Sequence, residues 1–170
     1  IDRLEEEIRL VKAQLREERR LRKAQAKRSH PVVYADPERQ LRYEVEQTWL
    51  VEHSEQEREG EFALKPYRIG PDFLDSLDGL VRASGIKRDK IVTVVAEVAC
   101  GSVRRNTSRA VKEWNESKQG PQLTRSDGAT AWRVRLQVNS PSARRLKYWL
   151  LPDGTIELDS VRVHDDGISG

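Results

Sequence analysis

The chain has 170 residues, with 31 Lys and Arg against 28 Asp and Glu, for a net charge of +3. At 35% charged and 36% hydrophobic it is too polar for one large core and too apolar for full disorder. The positive excess is uneven: residues 1–60 hold 13 basic and 14 acidic side chains, leaving 18 and 14 for residues 61–170, a modest imbalance that suits a polyanionic partner.

Residues 1–30 read as a charged helix. Up to Arg28 they contain no Gly or Pro and are dense in Glu, Arg, Lys, Gln, Leu and Ala, all strong helix formers. Leu4, Ile8, Val11 and Leu15 follow one another at spacings of 4, 3 and 4, the seam of a coiled coil. So narrow a stripe gains little in isolation, so residues 1–28 predict a helix partner or a homo-oligomer; a solvated single helix is the competing reading. Pairs such as Glu5–Arg9 and Glu18–Arg22 support the helix at i,i+4. Pro31 ends it. The absence of Met and the start at Ile1 predict a fragment or a processed chain.

A second helix is expected over 36–55, with Asp36 as N-cap and Pro37 in its first turn. Leu41, Val45, Thr48, Trp49 and Glu52 fall on one stripe, although Leu41, Tyr43, Val45, Trp49 and Val51 also alternate as in a strand. The polar stretch 54–61 then predicts a boundary, with a basic α+β domain over 61–170. Phe62–Ile69 reads as a strand interrupted by Pro66. Phe73, Leu74, Leu77, Leu80 and Val81 give a short amphipathic helix, broken at Ser84–Gly85. Ile91, Val94, Val95 and Val98 give another, closed by Gly101. Residues 104–114 are a short helix or irregular, and 115–130 a loop.

Three strands follow. Trp132, Val134, Leu136 and Val138 alternate with Arg133, Arg135 and Gln137. Leu146, Tyr148 and Leu150 alternate with Arg145, Lys147 and Trp149. Ile156, Leu158, Ser160 and Arg162 alternate with Glu157, Asp159, Val161 and Val163. Pro152–Asp153–Gly154–Thr155 is a hairpin turn, so the strands form an antiparallel meander. The whole reads as a helical, possible coiled-coil arm followed by a small strand–helix–helix–antiparallel-sheet domain.

"YRIGPDFLDSLDGL", "AWRVRLQV", "ARRLKYWL" and "DGTIELDSVRVHDD" resemble successive segments of the RelE/ParE toxin superfamily, over about residues 62–168 and without the N-terminal arm. The resemblance implies a toxin-like domain that binds RNA or the ribosome, or a metal-independent endoribonuclease that cleaves mRNA, with an antitoxin or other protein as partner. It implies Arg145 and His164 as catalytic groups, and Arg133, Arg135 and Lys147 as contacts to nucleic acid. Arginines on a strand two residues apart face the same way, and cations beside a phosphate stabilise its transition state. Asp165 and Asp166 depart from the family, which often has a basic residue after the histidine. The alternatives are a non-catalytic protein-interaction or oligomerisation module, and a DNA-associated regulator using the basic helix.

Other residue types point away from further chemistry. Cys100 is the single cysteine and reads as a small buried residue. His30, His53 and His164 lack metal-ligand spacing, so neither a metal nor a cofactor is expected. The tryptophans read as core or sheet-face packing. No apolar run reaches the ~18 residues of a membrane span, and the expected setting is the cytoplasm.

Overall fold

A computed structural model describes residues 2–28, 33–137 and 143–163. Helix α1 (Asp2–Arg28) is followed by α2 (Pro37–Glu52), the short α3 (Glu55–Glu59), strand β1 (Tyr67–Ile69), α4 (Phe73–Ser84) and α5 (Arg88–Cys100). Two 3-10 turns lead to β2 (Lys112–Glu113), β3 (Thr130–Arg135), β4 (Arg144–Leu150) and β5 (Ile156–Val163). The class is mixed α+β.

Local chemistry sets the helix limits. The Asp36 carboxylate accepts from the Glu38 N–H at the start of α2, with Pro37 as the first helical residue. Ser54 and Glu57 form a capping box on α3, and bonding from the Ser54 N–H holds the Glu57 carboxyl below its usual range. α4 and α5 each stop at a left-handed glycine, Gly85 and Gly101. The strand expected over 62–69 is shorter than the sequence suggests. Pro66 lacks the N–H a ladder needs, and pairing starts only at Tyr67.

The five strands form one sheet in the order β1-β5-β4-β3-β2. The meander β3–β4–β5 is antiparallel, as expected. β1 adds to β5 in parallel, and β2 closes the other edge against β3. One face of the sheet packs on α4 and α5 through Val134, Leu146, Tyr148, Leu158 and Val161. α2, placed outside this unit by its polar flank, contributes Leu41 and Val45, both fully buried, to the same core. The polar stretch 54–61 therefore does not divide two cores.

β5 departs from simple alternation. Tyr148 pairs with Leu158 and Lys147 with Ser160, leaving Asp159 as an extra residue in a β-bulge. Leu158 and Val161 both reach the core, while Ser160 and Arg162 move to the opposite face. By simple alternation Leu158, Ser160 and Arg162 share a single face. The apolar pair Leu158 and Val161, three apart within a strand, carried the signal of a phase change.

Candidate nucleic-acid interface

The sheet face turned away from α4 and α5 carries two rows of cations. Arg135 of β3, Arg145 of β4 and Arg162 of β5 are Cα partners across three adjacent strands. One step along the strands, Lys112 of β2 pairs with Arg133 of β3, and Arg133 with Lys147 of β4. The alternation of β3 and β4 places Arg133, Arg135, Arg145 and Lys147 there, as the sequence predicts. The bulge in β5 brings Arg162 to join them.

The rows differ in exposure. Lys112 is exposed, and Arg133, Arg135, Arg145 and Arg162 are half-buried. Lys147 is only 2% exposed, with its Nζ 4.0 Å from the centre of the Trp114 ring. The expected surface contact at Lys147 is corrected accordingly: its ammonium lies under an indole, a cation–π arrangement. The Arg135 Nε is buried and has no hydrogen-bond partner among the described residues. His164, the expected acid or base, lies outside the described residues.

An aromatic corner borders the rows. Trp114 and Trp149 lie 6.2 Å apart, ring centre to ring centre. Arg125 stacks over Trp149 at 5.2 Å and donates to Glu157 (2.7 Å) and Asp127 (2.7 Å). Those bonds raise the Arg125 pKa and hold the Asp127 carboxyl down at about 2. The Asp159 carboxylate accepts from the Trp149 indole N–H (3.1 Å) and from the Ser160 hydroxyl (2.8 Å), and Ser160 accepts from the Arg162 Nε (3.1 Å). Both described carboxylates of β5 are thus engaged with these neighbours. Trp114 and Trp149 pack on the sheet face rather than in the core.

Lys112, Arg162 and Arg125 were not singled out from the sequence. Lys112 sits in a two-residue strand that has no periodicity to read, and Arg162 needed the bulge. Among the described residues no group of three or more His, Cys, Asp or Glu is placed to hold a metal ion, and no helix is long and apolar enough to cross a membrane. No family model, curated protein or solved structure matches the chain.

Proposed function

We propose that the protein binds single-stranded RNA across the cationic sheet face. The register of Arg135, Arg145 and Arg162 carries this reading. Three guanidinium groups on neighbouring strands concentrate positive charge along one line of the sheet, which an anionic backbone complements. Guanidinium groups suit phosphate, which they engage in a bidentate manner. The spacing between neighbouring strands, roughly 4.8 Å, lets one backbone pass over all three. Trp114 and Trp149 set aromatic surface beside the row, a combination suited to unstacked bases. The element order from β1 to β5, a strand, two helices and an antiparallel meander, also agrees with the resemblance to the RelE/ParE toxins.

Fluorescence anisotropy with a labelled single-stranded RNA oligonucleotide tests the reading. Arg135→Glu/Arg145→Glu should weaken binding by at least about tenfold, and the slope of log affinity against log salt should flatten by about 0.7 per lost phosphate contact. Arg82→Glu, on the exposed face of α4, makes the same charge change away from the site and should bind as the parent does. Equal affinity of parent and double variant overturns the proposal, and so does a preference for duplex DNA. The same RNA incubated with chelator present tests cleavage. Loss of products in His164→Ala and Arg145→Ala makes the protein a metal-independent endoribonuclease, whereas intact RNA confines it to binding.

A further inference from the structure

The apolar stripe of α1 remains uncovered within one chain. Leu4 is 66% exposed, Ile8 47%, Val11 61% and Leu15 46%, while the other exposed leucines of the helix, Leu10 and Leu21, lie off this stripe. Further along, the helix meets its own globular unit. Four residues beyond Leu15 comes Arg19, which lines a cavity with Glu52, His53 and Ser102. Four beyond that, the Lys23 Nζ lies 2.7 Å from the Glu52 carboxylate. The helix therefore docks on its own globular unit through Arg19 and Lys23, which flank the continuation of the seam at Glu18 and Arg22.

We infer that a second copy of this chain covers residues 4–15, with the two α1 helices antiparallel. The geometry and the charges both select this occupant and direction. A parallel partner brings its own globular unit to the same end of the pair as the first copy's unit, which sits at Arg19 and Lys23. An antiparallel partner centred on the stripe stacks Leu4 on Leu15 of the other copy and Ile8 on Val11. It leaves the two globular units at opposite ends of the paired segment. Charge is also segregated: residues 3–11 hold three acidic and two basic side chains, and residues 12–23 six basic and two acidic. A parallel pair sets the basic halves side by side, and an antiparallel pair separates them. In the heptad with Leu4 at d, Glu5 and Lys12 occupy e positions, which face one another in an antiparallel pair and flank the same two apolar layers. Glu7, at g, meets Lys12 of the other copy only in the parallel arrangement.

The inference is independent of the RNA reading and is tested on the full chain. Sedimentation equilibrium should give a dimer, and Ile8→Asp/Leu15→Asp a monomer with an unchanged folded far-ultraviolet spectrum. Glu5→Lys or Lys12→Glu alone should weaken the dimer about tenfold, and the two together should restore it. Cysteine crosslinking reads direction separately. Cys100 is 1% exposed and serves as the unreactive background. Leu4→Cys alone and Leu15→Cys alone should form no disulfide dimer, while an equimolar mixture of the two should crosslink. A monomeric parent overturns the inference, as does a Leu4→Cys chain that crosslinks to itself, or rescue of Lys12→Glu by Glu7→Lys instead of Glu5→Lys.

Discussion

His53 closes α2, its N–H bonded to the Trp49 carbonyl at 3.2 Å. Its ring is only 6% exposed, with Nε2 3.6 Å from the Cys100 sulfur and one edge against Phe62. The Nδ1 has no partner among the described residues. Burial lowers the His53 pKa below 6.5, against the pull of Glu57 and Glu52 and with the aid of Arg105. The unfolded chain therefore takes up a proton at a higher pH than the folded one. Stability is complete above about pH 6.5 and is lost as pH falls from there toward the folded value. Thermal melts by circular dichroism should show Tm dropping through this window, and His53→Gln should flatten that part of the profile. Glu97 makes a second point at this scale. It accepts two bonds from Arg109, at 2.8 and 3.1 Å, with both side chains more than four-fifths buried. Arg109→Ala leaves that carboxylate unpaired and should cost about 2 kcal/mol in urea unfolding. Neither contact was legible in the sequence, because His53 and Cys100 lie 47 residues apart and no spacing rule links them.

Two glycines separate what a strand junction and a helix tolerate. At Gly70 an added Cβ meets the Leu158 carbonyl oxygen at 2.5 Å, and the Gly70 N–H bonds that same oxygen at 2.8 Å. Close approach to β5 requires a residue without a side chain, so Gly70→Ala should destabilise by about 1–3 kcal/mol. Gly79 lies inside α4 with no atom within 4 Å of an added Cβ. Gly79→Ala should stabilise by about 0.5–1 kcal/mol through helix propensity. Opposite shifts in denaturation midpoint check the pair. The elements themselves were largely readable: the cap at Asp36, stops at Gly85 and Gly101, and the alternation in β3 and β4 are all local, whereas α3 and its Ser54 cap fall in the stretch read as a polar boundary. The bulge at Asp159 was not, because it is defined by the partner strand. It turns Arg162 from a core-side residue by simple alternation into the third member of the arginine row.

The core sets the limits of the folding unit. Leu41 and Val45 are fully buried and pack beside Ile91, Val94 and Val95 of α5. A fragment beginning at residue 61 exposes that α5 surface, and each lost leucine-sized contact costs about 2–5 kcal/mol in a domain whose whole stability is about 5–15 kcal/mol. Residues 61–170 alone should therefore fail to give a cooperative melt. Residues 33–170, which lose only α1, should melt cooperatively as a monomer. A cooperative transition in the shorter fragment would show that α2 is an accessory to a self-sufficient sheet domain.

The sequence alone determined a long charged helix, a second capped helix, and two amphipathic helices followed by an antiparallel basic meander. Each of these rests on periodicity or capping within a dozen residues. The tertiary structure decided which cations share a face, because cross-strand register and the bulge in β5 set it. It also decided that Lys147 lies beneath Trp114 and that α2 belongs to the core. And it decided that α1 touches its own domain through Lys23 and Glu52 of α2, a contact between two elements that no spacing within either helix could reveal.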